Sequence, residues 1–322
     1  MYPSYLDAHR DGSLAKVAEE AHRILKSCAL CPRRCGVNRL NNEVGFCKTG
    51  SKARVYNCIS HHGEEPPISG TRGSGAIFFS GCTMGCVYCQ NYEFSQFERG
   101  TEMTDQELAD SMICLQEAGC HNINLVTPTH LLPQILAALC LAIPKGLNIP
   151  LVYNTSGYEL PAMVKMLAGI VDVYLPDMRY ADAESAARYS ACDDYPAYNQ
   201  EAVRQMHLQV GIPVFDEPGI IRRGLIIRHL VLPNAISGTE KIAQFISREL
   251  SSDTYISLMS QYFPCYKAHE FTQICRRLSS REYRQARDIL EKYDLHNGWF
   301  QDGRGLLRFV GTRIKPACKD KP

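Results

Sequence analysis

The chain has 322 residues, is 45% hydrophobic and 21% charged, and carries a formal net charge of +1, the balance of a globular protein with room for one large α/β domain or two smaller ones. Near-neutral charge gives no electrostatic case for nucleic acid or an anionic membrane surface as partner, and no apolar run reaches the roughly 20 residues of a membrane span. Fifteen cysteines, with no signal-peptide pattern at Met1-Tyr2-Pro3-Ser4, point to a reduced, cytoplasmic protein with metal sites rather than a disulfide scaffold.

In chain order, the apolar spacing of Leu14, Val17, Ala18, Ala21, Ile24 and Leu25 predicts an amphipathic helix over 13–27. Next comes Cys28-x2-Cys31-x3-Cys35-x11-Cys47. Four thiolates this close can surround zinc or a 4Fe–4S cube, and the spacing leaves both open. The loop His61-His62-Gly63-Glu64-Glu65-Pro66-Pro67 carries titratable groups suited to acid–base work or binding. A boundary is expected near 70–75, making residues 1–74 an N-terminal helix and Cys-rich extension.

Short aliphatic runs at 76–80, 122–127, 149–153, 171–175, 225–232 and 254–259 read as strands buried on both faces. Helical stretches lie near 104–118, 130–142, 159–168, 182–190, 198–210 and 238–250. Six strand–helix units predict an α/β fold with a curled parallel sheet, a partial (β/α)6 barrel over 75–262. On the strand 225–232, alternation of Arg228 with Leu230 marks Arg228 as the inward cation. A helix at 281–293 and the segment Gly298-Trp299-Phe300-Gln301-Asp302 belong to a C-terminal segment, 263–322, expected to cap the open barrel.

The densest chemical signal is Cys82-x3-Cys86-x2-Cys89, directly after the strand 76–80. Ligands in such barrels sit at the C-terminal ends of strands. Three thiolates can hold three irons of a cubane whose full ligation takes four cysteines, leaving one iron open to bind a small molecule. Asn91 is the next polar side chain.

This motif, with the aromatic Tyr88 before its last cysteine, resembles the signature of the radical S-adenosylmethionine (SAM) superfamily. The resemblance implies a 4Fe–4S cluster on Cys82, Cys86 and Cys89, SAM bound to the open iron, and an electron donor such as flavodoxin or ferredoxin. It also implies a SAM pocket at the strand ends. Thr127 and Thr129 flank Pro128 where many relatives carry Gly-Gly-Glu-Pro. Asn154 and Ser156 match the Asp-Thr-Asn-Gly stretch of glycyl radical activating enzymes. Asp177 and Arg179 stand where those relatives have Asp-x-Lys, with the cation meeting the SAM carboxylate. Gln261 ends the last strand and is expected near the ligand.

More of the chain, Cys28 to Gly36, His62 to Gly70 and Gly75 to Asn91, is similar to the pyruvate formate-lyase activating enzyme-like group of radical SAM proteins. That likeness implies SAM cleavage to a 5′-deoxyadenosyl radical and hydrogen abstraction from a protein or peptide, such as a glycyl radical enzyme. A small-metabolite substrate is the first alternative, with 299–302 as a lid. A two-cluster electron carrier without SAM chemistry is the second.

Overall fold

The computed structural model describes residues 2–301. Its strands are β1 (Ala53–His61), β2 (Ser74–Phe79), β3 (Thr101–Met103), β4 (Ile123–Val126), β5 (Leu151–Thr155), β6 (Val173–Pro176), β7 (Val214–Phe215), β8 (Ile221–Leu230), β9 (Tyr255–Met259) and β10 (Gly298–Phe300). The helices are α1 (Tyr5–Arg10), α2 (Ser13–Ile24), α3 (Pro66–Ser69), α4 (Tyr92–Ser95), α5 (Asp105–Glu117), α6 (Leu132–Ala142), α7 (Pro161–Met166), α8 (Ala183–Ser190), α9 (Tyr195–Val210), α10 (Thr239–Phe245) and α11 (Ser280–Lys292).

One sheet runs β10-β9-β8-β6-β5-β4-β2-β1-β3, with β7 paired to β8. Along that order every pairing from β2 to β10 is parallel, while β7 is antiparallel to β8, and helices fill the crossovers. Strands β2, β4, β5 and β6 are buried along their whole length, which explains their unbroken apolar runs. Helix ends follow local chemistry. In α5, Thr104 accepts from the Glu107 N–H at 3.2 Å while the Glu107 carboxylate accepts from the Thr104 N–H at 2.7 Å. That reciprocal cap satisfies two otherwise orphaned donors.

The expected six-unit curled sheet is present, with additions at both edges. The extension before residue 75 supplies β1, which pairs antiparallel with β2, so pairing crosses the expected boundary. Gly298–Phe300 joins as a seventh parallel strand beside β9 rather than lying over the barrel as a lid. Residues 302–322 of the expected cap lie outside the described residues. No helix among the described residues is long and apolar enough to cross a membrane.

The parallel strands end nearly level. Val126 pairs with Asn154 and Asn154 with Leu175, and Asp177 bridges Arg228. This register brings polar residues from distant segments to one rim.

Candidate active site

A cavity of about 180 Å³ opens at that rim. Tyr88, Asn91, Thr127, Asn154, Ser156, Asp177, Arg179 and Gln261, all expected from sequence, line it together with Cys89. A larger cavity, about 640 Å³, lies between α10 and α11 and has no cysteine on its walls. The chemistry concentrates in the smaller one.

The cysteine loop follows β2 through Gly81, whose φ is +84°. Cys86 is the most elaborately contacted of its three thiols. Its Sγ lies 2.9 Å from Ser190 Oγ and 3.3 Å from Arg179 Nη1. Cys82 Sγ accepts from the Met84 N–H at 3.4 Å, and Cys89 Sγ is 3.2 Å from Ser95 Oγ. Burial, then the neighbouring Cys86, pushes the Cys82 thiol up to about 12. Burial and Cys86 also raise Cys89. Such thiols stay protonated alone and become thiolates only beside a cation.

Tyr88 sits under this loop. Its hydroxyl is 2.6 Å from that of Tyr180, which is 2.8 Å from Ser190 Oγ. A hydroxyl chain therefore ends on Cys86. Ser190 and Tyr180 carry no motif in the sequence, and only the folding of α8 against the loop brings them here.

Ser156 Oγ is buried on the cavity wall with no protein partner. An unpaired buried hydroxyl costs free energy, and a ligand with polar groups would relieve it. Arg179 stands on the cavity wall paired with Asp177. Its Nε donates to Asp177 Oδ2 at 3.0 Å and its other arm faces Cys86. Gln261 takes its place through its backbone as well, its carbonyl accepting from Gln90 Nε2 at 3.2 Å.

Thr129 is a correction. Thr127 adopts φ +61°, which turns the chain into a short helical turn, Thr129–Leu131, and carries Thr129 off the rim into the wall. There it donates to Glu159 Oε1 at 2.5 Å. Sequence reasoning missed Glu159. It is 1% exposed, and Thr155 and Tyr153 also hydrogen-bond it. Burial raises its carboxyl to about 7, opposed by those hydrogen bonds. A lone acid in Gly157-Tyr158-Glu159-Leu160-Pro161 was the available signal.

Arg228 points inward as expected. Its Nε donates to Glu65 Oε1 at 2.8 Å, its Nη2 to Glu65 Oε2 at 2.7 Å, and its Nη1 to Asn154 Oδ1 at 3.2 Å. The same guanidinium pairs with Glu64, which also accepts from Asn124 Nδ2 at 3.0 Å. The acidic loop before the barrel is thus drawn into its floor. His61 and Glu64 reach the cavity wall; burial lowers the His61 pKa.

Cys28, Cys31, Cys35 and Cys47 line one separate, small cavity of about 10 Å³, with Cys35 exposed at its edge. Arg39, fully buried at its edge, donates Nη1 to His130 O at 2.6 Å and leaves Nη2 unpartnered. A buried cation over neutral thiols is unfavourable; over metal-bound thiolates it is compensated. Among the described residues, no three His, Cys, Asp or Glu side chains are gathered to hold a metal ion as they stand. The fit of both cysteine groups therefore rests on their donor sets and surroundings. Cys265, a further thiol near the rim, is buried and donates to Tyr88 O at 3.3 Å.

Three thiols on a loop at the C-terminal rim of a parallel sheet, over a polar lumen, mark this rim as the place for a cofactor in a partial-barrel enzyme. The profile of the radical SAM superfamily matches residues 76–192. An uncharacterised protein of Methanocaldococcus jannaschii is 35% identical over 288 residues, covering 86% of this chain and 78% of the relative. The chain belongs to the radical SAM superfamily, and the family implies a 4Fe–4S cluster and SAM. Among solved structures, it is similar to a radical SAM methyltransferase from Sphaerobacter thermophilus (18% identity, 72% of this chain, 67% of that one, TM-score 0.49). It is also similar to the FeFe-hydrogenase maturase HydG from Carboxydothermus hydrogenoformans (12% identity, 92% of this chain, 68% of that one, TM-score 0.48).

Proposed function

We propose that this radical SAM enzyme abstracts hydrogen from a protein or peptide, a glycyl radical enzyme being one such substrate. The observation that carries this reading is the position of the site: it opens at the rim where the parallel strands end, so a side chain or backbone methylene of a polypeptide presented at the mouth can reach it without the whole substrate entering the lumen.

In this reading, Cys82, Cys86 and Cys89 would hold the 4Fe–4S cluster. When bound, cluster and SAM would supply the hydrogen-abstracting chemistry: one electron delivered to SAM releases methionine and leaves a 5′-deoxyadenosyl radical. The chain's own residues bind and orient. Arg179 and Ser190 direct hydrogen-bond donors at Cys86 Sγ, which withdraws charge from the sulfur and tunes the cluster's potential. Ser156 offers its unpaired hydroxyl, and Thr127, Asn154 and Asn91 offer further polar contacts to SAM. Phe78, Val126, Leu230 and Met259 supply the apolar part of the wall, keeping water from the reacting atoms. Flavodoxin or ferredoxin would deliver the electron. Cys28, Cys31, Cys35 and Cys47 would hold an auxiliary 4Fe–4S cluster or zinc. Cys58, Cys114, Cys120, Cys140 and Cys192 are free thiols, whereas Cys275 is disulfide-bonded.

The test is anaerobic. Reconstituted, reduced enzyme and SAM are mixed with an extract of the source cells, separated into macromolecules and small-molecule filtrate, and 5′-deoxyadenosine is measured. Stimulation by the macromolecular fraction alone is expected. Stimulation by the filtrate alone would overturn the protein-substrate reading in favour of a small metabolite.

A further inference from the structure

The two cysteine groups share a wall. Thr83, between Cys82 and Cys86, lines the same cavity as the four thiols of Cys28, Cys31, Cys35 and Cys47. A Cβ added at Gly81 would lie 2.4 Å from Cys47 O, so only glycine lets the loops approach this closely.

Arg33 stands at the seam. It lies between Cys31 and Cys35, and its guanidinium stacks 3.9 Å from the centroid of Phe46, the residue before Cys47. Across the seam its Nε donates to Thr83 O at 2.9 Å and its Nη2 to Met84 O at 3.4 Å. Its Nη1 donates to Ala191 O at 2.6 Å, and Nη2 also reaches Ser190 O at 3.5 Å. These carbonyls belong to the two turns that set Cys86. One turn carries its backbone, and the other carries the Ser190 hydroxyl that contacts its sulfur. A planar fork of donors can hold both turns at once; an ammonium cannot.

The base of Arg33 sits on a turn closed by backbone hydrogen bonds. Around it, Cys28 N–H donates to Val37 O at 2.9 Å, Gly36 N–H to Cys28 O at 3.0 Å and Arg34 N–H to Cys31 O at 3.0 Å. Arg34 itself has φ +41°. A metal ligated by Cys31 and Cys35 would fix this turn from both ends.

We infer that Arg33 is a positioning residue coupling the two sites, so that metal at Cys28–Cys47 sets the geometry in which Cys86 holds the radical cluster. The coupling acts through the backbone of the cysteine loop and holds for zinc or iron at the second site. It rests on the reading of Cys82, Cys86 and Cys89 as cluster ligands.

Wild type, Arg33→Ala, Arg33→Lys and Cys31→Ser are reconstituted anaerobically and checked for folding by circular dichroism. Each is examined by low-temperature electron paramagnetic resonance with and without SAM, by redox titration, and by 5′-deoxyadenosine formation. Loss of an outer contact to a metal site typically costs 10–100-fold, so deoxyadenosine should fall by about tenfold or more. The SAM-responsive signal should persist with displaced g-values and a shifted midpoint potential. Arg33→Lys should group with Arg33→Ala, and it supplies the measurement if the alanine variant does not accumulate. Cys31→Ser should show the same displacement. A folded Arg33 variant, or a folded Cys31→Ser, with the wild-type spectrum and midpoint overturns the coupling. A wild type with no SAM-responsive signal refutes the underlying cluster reading instead.

Discussion

Replacing Arg228 with methionine probes the charge network beneath the lumen. Wild-type Arg228 makes a two-pronged contact to Glu65, a second ion pair to Glu64 and a hydrogen bond to Asn154. The side chains of Glu65 and Glu64 are only 3% and 7% exposed. Methionine fills a similar space without any donor, leaving two carboxylates buried with no cation. Breaking a buried pair from one side costs about 3–5 kcal/mol, a large share of the roughly 5–15 kcal/mol that holds a domain folded.

The pH dependence separates this account from simple loss of packing. Burial raises the Glu65 carboxyl, and Arg228 more than reverses that, so its net shift is downward. In wild type this depressed pKa contributes stability above the ordinary carboxylate range, lost as pH falls through the folded value. In the variant burial is the largest remaining influence, opposed only by hydrogen bonds from Ser257 and the Glu65 backbone, so the pKa moves up and protonation relieves part of the cost. The cost of Arg228→Met should therefore be largest near about pH 7.5 and shrink towards about pH 5.5, measured by anaerobic urea unfolding. Arg228→Met combined with Glu64→Gln and Glu65→Met should recover most of the loss, because apolar replacement of a buried pair is often neutral. A cost below about 1 kcal/mol near neutral pH, or one that grows on acidification, would refute the reasoning.

Cys82→Ala, Cys86→Ala and Cys89→Ala should each abolish SAM cleavage; near-native deoxyadenosine from any of them, with a full cluster, would remove that residue from the ligand set. Glu159, raised to about 7 by burial, favours its protonated form in the fold, so wild type loses stability as pH rises from its unfolded value through about 7. Glu159→Gln should flatten that slope and gain up to about 3 kcal/mol at alkaline pH, as read from unfolding midpoints across pH. Gly81→Ala combines φ +84° with the 2.4 Å approach to Cys47 O and should cost more than about 1 kcal/mol and lower iron at both cysteine groups. Iron analysis will read about eight irons per chain if the Cys28–Cys47 group is a second cubane, and about four with one zinc if it is not.

Much of this protein is visible in its residue order. The buried runs of β2, β4, β5 and β6 announce parallel strands because each is covered on both faces. Local spacing announces Cys82, Cys86 and Cys89 because one loop carries all three within eight consecutive residues. Short edge elements stayed hidden. β1, with its mixed burial, looks like part of a cysteine-rich extension until it pairs with β2. Three residues at Gly298–Phe300 gain strand identity only from β9.

The residues that complete the candidate site lie outside any local pattern. Thr129 and Thr127 are two positions apart, yet one left-handed backbone angle puts Thr127 on the lumen and Thr129 against Glu159. Ser190, Tyr180, Arg33 and Glu64 reach the cysteine loops or the lumen floor across sequence separations of up to 164 residues. Ligation by one loop and burial of one strand are short-range requirements, so they are written in consecutive residues. Hydrogen bonds across strand ends and between loops depend on register, crossover and packing, which exist only once the sheet has curled.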